Sequence, residues 1–490
     1  MSHVSYKQPK QLIPLFFTEL WERFGYYVTQ TILILYLSNQ LNYTDKHAYL
    51  LYSTFGAMMY LTPCVGGYLA DRYLGLRRCV LLGGACLTVG YGILAIPSPN
   101  ALFLGLSILI IGNGFFKPNI SSMVGRLYEI DDPRRDGGFT IFYMGINIGS
   151  ILPPIFIGTI VALYTWGSGF ALASLGMVIS LITFFSSKSL KEYDPLPKKS
   201  PLKKNKHFKV YSSIAFASII AIIIFQVFFY YPEQANIFLI SSSLAIMGTI
   251  LAFIFKEKPK QRRKLWACLI LITLSIGFWA VYIQTYSSLM LFTSRNIDRE
   301  IFGWPVHTEF LQFFNPFFII ALSPILNRMW TYLNHKGLNP STPTKFSFGI
   351  LCISIGFFVL WLGSSQYNTN GIASIWWLVL SYFIQTLGEL LLSPIGLSMV
   401  TRLAPPHLVS TMMGVWFLTL SASFAIGGFL STLADIPSGA TIIESLAIYE
   451  HAFVTYALIT AALAIMSFSL IPYLKKLIAI PSTPIQTPKS

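Results

Sequence analysis

Apolar runs of about twenty residues recur along this 490-residue chain, each long enough to cross a hydrocarbon core roughly 30 Å thick as a helix. They fall at approximately 12–38, 48–70, 79–96, 101–123, 138–163, 168–186, 210–230, 237–255, 264–293, 308–332, 345–363, 372–400, 408–433 and 449–473, which makes fourteen. Composition agrees: 54% of residues are hydrophobic and 11% charged, with a mean hydropathy of +0.62. A soluble domain could not present so few charges to water, so the main solvent of this chain is lipid, and nothing is left over for a soluble catalytic domain. The first run carries Glu19, Glu22 and Arg23 and lacks the short apolar core and small-residue cleavage site of a secretory signal, so it is expected to stay as a helix.

Cys64, Cys79, Cys86, Cys268 and Cys352 lie singly in or beside apolar runs, an odd total without metal-ligand spacing, and read as packing residues. The seven histidines, His3, His47, His207, His307, His335, His407 and His451, fall mainly in loops, and none pairs with a carboxylate cluster as a metal ligand would. No metal site and no cofactor are expected.

With the amino terminus placed in the cytoplasm and sides alternating, 29 of the 34 basic residues fall in cytoplasmic segments. Lys46, Arg295 and Arg299 lie outside, and Arg23 and Lys117 within the membrane. This asymmetry predicts a multi-pass inner-membrane protein with both termini cytoplasmic. It also accounts for most of the +15 net charge, which makes a nucleic-acid partner unnecessary. No obligatory protein partner is evident.

Two basic stretches, Lys188 to Lys209 with eight lysines and Lys256 to Lys264 with six basic residues, flank the runs 210–230 and 237–255. Those two runs hold no charge except Glu233 in their turn and read as an inserted hairpin. Removing it leaves six helices, a basic connector and six more, the arithmetic of a two-bundle transporter that rocks around a midplane site. The expected division is an amino-terminal bundle over 1–187, linkers and hairpin over 188–263, a carboxy-terminal bundle over 264–475 and a cytoplasmic tail over 476–490. An all-α polytopic architecture resembling the major facilitator fold follows. Gly66, Gly67, Ala70, Asp71, Arg72, Gly75, Arg77 and Arg78 match that fold's loop pattern between helices 2 and 3. The glycines would allow a tight turn, and Asp71, Arg72 and Arg77 would reach neighbouring helix ends when the cytoplasmic gate is shut; the plainer reading is a positive-inside anchor.

Ionisable groups inside a membrane are expensive, so the five that lie away from the ends of the apolar runs, Glu19, Glu22, Arg23, Lys117 and Glu389, are the leading functional candidates; Glu309, at the outer edge of its run, can stay hydrated and is left out. On the first helix Glu19, Glu22, Arg23, Tyr26, Tyr27 and Gln30 form one stripe. Arg23 readily neutralises one carboxylate, and the other gains from taking a proton; a static charge cluster tying two helices together is the competing reading.

Glu19, Glu22, Arg23, Phe24, Tyr26 and Tyr27 resemble the Glu-x-x-Glu-Arg-Phe-x-Tyr-Tyr motif of the proton-dependent oligopeptide transporters. Further matches are Phe142, Tyr143, Ile146, Asn147, Gly149 and Ser150; Gly112, Gly114, Phe116, Lys117, Pro118 and Asn119; Gln312, Asn315 and Pro316; Gly388, Glu389, Leu390, Ser393, Pro394 and Gly396; and Gly414, Val415, Trp416 and Phe417. They span both bundles in order, and the extra hairpin looks like that of the family's bacterial members. The resemblance implies a proton-coupled symporter importing di- and tripeptides by alternating access, with protons as the coupling ion. Residue types suit a zwitterion: Arg23 and Lys117 for the carboxylate, Arg23 with a two-pronged fork, and Glu389 for the ammonium. Asn147 and Asn315 would serve the ends and the amide, with Tyr26, Tyr27, Tyr60, Ser393, Trp416 and Phe417 lining pockets. Gly145 and Gly149 read as close helix contacts, Pro118 and Pro394 equally as kinks, and Trp416 also as packing.

In one place the chain departs from the family. Phe278-Trp279-Ala280-Val281-Tyr282-Ile283-Gln284 carries Ile283 where the family commonly has a glutamate thought to pair with the helix 4 lysine. Lys117 therefore needs another partner, and Glu19 or Glu22 is expected to turn toward it. Uptake of another anion such as nitrate or an organic acid is the alternative, which Glu389 disfavours by repulsion. A membrane enzyme would need a nucleophile, metal ligands or an acid/base pair near one interface, and the sequence offers none.

Overall fold

The computed structural model of the protein describes residues 7–129, 132–192, 204–367, 371–405 and 408–478. The amino-terminal bundle holds α1 (Leu12–Leu35), α2 (Asp45–Leu69), α3 (Leu76–Leu94), α4 (Pro99–Arg126), α5 (Arg135–Leu163) and α6 (Trp166–Ser186). A short α7 (Lys188–Glu192) follows, and then the hairpin α8 (Lys204–Tyr230) and α9 (Pro232–Lys256). The second bundle holds α10 (Pro259–Tyr282), α11 (Ser288–Asn296), α12 (Phe314–His335), α13 (Thr342–Ser365), α14 (Ile375–Leu403), α15 (Val409–Ser431) and α16 (Ile442–Ile478). Because α7 is too short to cross and α10 with α11 is one broken span, these helices make the fourteen crossings read from the sequence. Residues 193–203 of the first basic linker, His407 and residues 479–490 of the tail lie outside the described residues.

By length and composition, twelve of the described spans are apolar enough to cross a membrane on their own. The remaining two are α1, with three charges in its middle, and α2, with its many Tyr, Ser, Thr and Gly residues. Both must be carried into the bilayer by burial in the bundle, and α1 is buried along most of its length.

Local chemistry sets the helix starts. Pro99, Pro232, Pro259 and Pro343 stand in first turns, where a missing N–H costs nothing, and Thr44 caps α2 by accepting from the His47 amide. The run 264–293 is less continuous than its apolarity suggests: α10 ends at Tyr282, Ile283–Tyr286 tighten into a 3-10 turn, and the chain turns at Ser287 before α11. The Gln284 amide donates to the carbonyls of Ala280 and Gly427, and the Ser288 hydroxyl donates to Gln284 Oε1. Side-chain polar groups here compete with the helical ladder. Two small pairings follow: β1 (Ile297–Asp298) runs parallel to β4 (Ala373–Ser374), and β2 (Glu300–Ile301) antiparallel to β3 (Trp304–Pro305).

Glycines set the closest helix contacts. A Cβ on Gly66 would lie 1.8 Å from the Gly114 carbonyl oxygen, and one on Gly149 2.5 Å from that of Leu20, so α2 meets α4, and α1 meets α5, backbone to backbone. Gly66 and Gly67 thus lie inside α2 rather than in the turn they were expected to make. The turn rests on Gly75, at φ +81°, after one π-helical turn over Ala70–Leu74.

The two bundles meet along α2 and α15, where Gly56 underlies the Phe424 ring and Gly428 faces Ser53. Polar bonds joining the bundles gather at the end remote from the basic linkers. Arg295 is held by both carboxylate oxygens of Asp45, one at 2.9 Å, and by Ser38 at 3.2 Å. The Lys46 amide donates to Asp435 at 2.9 Å and the Tyr49 hydroxyl to the Ala434 carbonyl at 3.3 Å. The hairpin is fastened at the same end: Asn236, fully buried, donates to the Leu50 carbonyl, and Tyr230 to Asn100. Because α9 packs on both α2 and α15, the insertion covers the seam between bundles.

Candidate functional site

On α1 the two glutamates divide between two cations. Arg23 Nε donates to Glu22 Oε2 at 2.6 Å and Nη2 to Oε1 at 2.5 Å, so the guanidinium fork is filled by its sequence neighbour. Glu19, fully buried, accepts from Lys117 Nζ on α4 at 2.5 Å through Oε1, which also stands 3.6 Å from Arg23 Nε. The other oxygen of Glu19 has no hydrogen-bond partner among the described residues. The cation left over by the Ile283 substitution is therefore paired by a helix 1 carboxylate, and Glu19 supplies it. Ile283 itself is 3% exposed and packs beside Gly427. Arg23 lies 4.6 Å above the Tyr26 ring, a cation–π contact that holds the guanidinium in place. Both cations were expected to meet a substrate carboxylate; here Glu22 takes the Nε–Nη2 edge of Arg23 and Glu19 takes Lys117, and neither cation is among the residues that line the cavity between the bundles.

In the opposite bundle, Glu389 on α14 accepts from the Tyr282 hydroxyl at 2.6 Å and from the Asn315 amide at 2.9 Å, both at Oε2. Asn315 also reaches the Tyr282 hydroxyl at 2.8 Å and Thr386 at 3.1 Å. The sequence reading missed Tyr282. Its only trace in the sequence is a tyrosine one turn beyond Phe278; that it meets Glu389, 107 residues on, comes from the packing of α10 on α14. No cation pairs with Glu389 among the described residues, and Glu389 is one of the residues that line a cavity.

That cavity, about 190 Å³, lies between the bundles. Tyr27, Asn147, Asn315 and Glu389 line it as expected, joined by Thr31, Tyr143, Ser150, Tyr286 and Gln312. Tyr143 and Ser150 sit four residues before and three after Asn147 and share its helix face, a spacing legible in the sequence. Tyr286 is carried in by the 3-10 turn, which the sequence did not disclose.

Several expected lining residues are placed elsewhere. Trp416 is 4% exposed, and its ring fills the space over Gly396, where a Cβ would lie 2.1 Å from it; it is a packing residue. Phe417 is 39% exposed on another face of α15. Tyr60 stacks on Phe424 at 5.5 Å, Tyr26 is buried behind Tyr27 in an edge contact at 5.3 Å, and Ser393 is not among the residues lining the cavity. Residue type and the family resemblance put these residues in the lining, but which face of each helix meets the cavity is set by tertiary packing.

The α2–α3 turn behaves as a local network. Asp71 pairs with Arg126 at the end of α4 at 3.0 Å, as expected for a charge reaching a neighbouring helix end. Arg72 instead donates to Tyr68 on its own helix at 2.8 Å, and Arg77 Nε finds no partner among the described residues.

Comparison with known proteins identifies the family. The family model described as the POT family matches residues 77–445. Dipeptide and tripeptide permease B of Salmonella typhimurium is 32% identical over 97% of this chain and 98% of its own length. Dipeptide and tripeptide permease A of Escherichia coli is 35% identical over 96% of this chain and 94% of its own. A crystal structure of the peptide transporter POT with sulfate superposes with a TM-score of 0.84 at 31% identity, covering 96% of each chain. A POT family transporter with 5-aminolevulinic acid gives a TM-score of 0.84 at 30% identity, over 95% of this chain and 97% of its own. With its family model matched across both bundles and these relatives aligned along nearly the whole chain, this protein belongs to the POT family, the proton-dependent oligopeptide transporters.

Proposed function

We propose that this protein is a proton-coupled symporter that imports di- and tripeptides across the inner membrane by alternating access, with both termini in the cytoplasm. The bundles 1–187 and 264–475 would rock about the cavity, and 188–263 would ride as an insertion. One observation carries the reading: Glu389, a carboxylate with no paired cation among the described residues, lines the inter-bundle cavity, while the intramembrane cations Arg23 and Lys117 belong to the other bundle. A peptide of any sequence has an ammonium at one end and a carboxylate at the other, and fixed charges of opposite sign on two bundles can read both. Relatives named as dipeptide and tripeptide permeases support that substrate class.

The coupling step follows from the Glu19–Lys117 pair. A proton taken by Glu19 on its free oxygen removes the charge that holds Lys117, and the ammonium becomes available to the peptide carboxylate. After peptide leaves toward the cytoplasm, Lys117 returns to Glu19 and favours loss of the proton there. Binding and coupling are then one exchange of partners at one lysine.

Uptake of labelled di- and tripeptides by the purified protein in liposomes, with and without an inward proton gradient, tests the proposal. Gradient-dependent accumulation of both is expected. Accumulation indifferent to the gradient would make the protein a facilitator, and uptake of nitrate or an organic acid in place of peptides would replace the substrate class.

A further inference from the structure

The hairpin does not lie flat against the amino-terminal bundle. At the end remote from the basic linkers, α8 is clamped: Phe229 is fully buried, and Phe103 contacts it at 5.9 Å and Tyr230 at 4.7 Å. Toward the basic end, α8 parts from α2 and α4 and leaves a groove of about 360 Å³. Its α8 wall presents Ser213, Ala217 and Ala221 at successive turns and closes at Phe225; Val65 and Phe115 stand opposite. Small residues at this spacing normally let helices touch; here they bound a space. From Ser213 to Phe225 the groove runs about 18 Å along the helix, close to the roughly 15 Å depth of one leaflet's hydrocarbon.

Toward the basic end the groove lining stops at Leu69 on α2 and Ser213 on α8, and two arginine–tyrosine pairs lie just beyond it in the chain. Arg72 donates to the Tyr68 hydroxyl at the end of α2, and Arg78 of α3 donates to the Tyr211 hydroxyl of α8, both at 2.8 Å. Arg77 lies beside Arg78 in the first turn of α3, a turn with no acidic residue and no side-chain cap, and exposed Lys209 precedes Tyr211 by two residues. Asp71 is nearby, and its charge is taken by Arg126. An uncapped helix start, three arginines and a lysine thus put positive charge beyond the basic end of an acyl-sized slot.

We propose that this groove binds one anionic phospholipid, with an acyl chain between α8 and the α2–α4 pair and the phosphate at Arg72 and Arg78. The chemistry favours a lipid over a protein occupant: the slot is almost wholly apolar along its length, and the charge gathers beyond one end. The lipid fills the space that the small residues leave and ties the hairpin to the α2–α3 turn.

Native mass spectrometry of the delipidated full-length protein, titrated separately with phosphatidylglycerol and phosphatidylcholine, decides the matter. One phosphatidylglycerol per chain is expected at concentrations about thirtyfold below those needed for phosphatidylcholine, the scale set by two arginines at a membrane surface. The double variant Arg72→Gln with Arg78→Gln should lose that preference. Ala217→Phe, which fills the slot and leaves the arginines in place, should lose retention of phosphatidylglycerol itself. If the arginine variant does not fold, the Ala217→Phe result decides alone. Equal retention of the two lipids by the wild type, or wild-type retention in Ala217→Phe, would overturn the site and leave only annular lipid.

Discussion

Glu19 and Glu22 share one face of α1 and one arginine, yet the fold gives them different partners. Glu22 fills the Arg23 fork, whereas Glu19 reaches across to Lys117 with one oxygen and leaves the other free. Breaking a buried ion pair by removing one charge typically costs about 3–5 kcal/mol, and Lys117, with its side chain 29% exposed, should stand at or below the lower limit. Glu19→Gln is therefore expected to fold and to keep peptide counterflow, since exchange needs no net proton release, but to lose gradient-driven accumulation in liposomes. Glu22→Gln should keep a gradient-dependent component and bind peptide with altered affinity, because it changes the Arg23 fork and leaves Lys117 paired. The reverse outcome would move the proton to Glu22. Glu389 belongs to a separate test. Glu389→Gln should weaken competition by free-amine peptides at least tenfold and that by amino-acetylated peptides far less, as only the former bring a cation. Equal losses would make Glu389 a structural residue held by Tyr282 and Asn315.

Helices here are positioned by what they lack as much as by what they carry. The α2–α4 crossing rests on Gly66, whose added Cβ would collide with the Gly114 carbonyl at 1.8 Å, whereas Gly67, one residue on, would meet only Pro118 at 3.6 Å. Overpacking costs about 1–3 kcal/mol, and a backbone carbonyl cannot turn aside as a side chain can. Gly66→Ala should lower the melting temperature of the purified protein clearly, and Gly67→Ala should leave it nearly unchanged. Similar losses in both would mean that the α2–α4 contact adapts. The broken span shows the limit of reading helices from apolarity. Hydropathy carries the run 264–293 through as one segment, but Gln284, Ser287 and Ser288 bond to one another and to α15 carbonyls, and the helix breaks there. That break delivers Tyr286 to the cavity.

At the scale of the whole molecule, the bundles are latched at one end by Asp45 and Arg295, which lie 250 residues apart. Asp45 is 4% exposed, so a lost partner leaves a buried charge. Arg295→Gln should open that end, read as faster labelling of a cysteine placed at Ser38, and the exchange of Asp45→Arg with Arg295→Asp should restore slow labelling. If Arg295→Gln labels no faster than the parent, the α2–α15 packing alone holds the bundles together. Neither residue of the latch stood out in the sequence, because a charge near a membrane surface looks like an ordinary solvated one until its partner is known. The fourteen crossings, their division into two bundles with an inserted hairpin, and the identity of the costly intramembrane charges were all determined by the sequence, because the bilayer imposes length and polarity on each segment independently. Only the tertiary structure decided that Glu19 answers for Lys117, that Tyr282 steadies Glu389 and that Trp416 packs on Gly396 away from the cavity. Those outcomes depend on the rotation of each helix about its own axis and on its closest neighbour, and both are set by contacts between residues far apart in the chain.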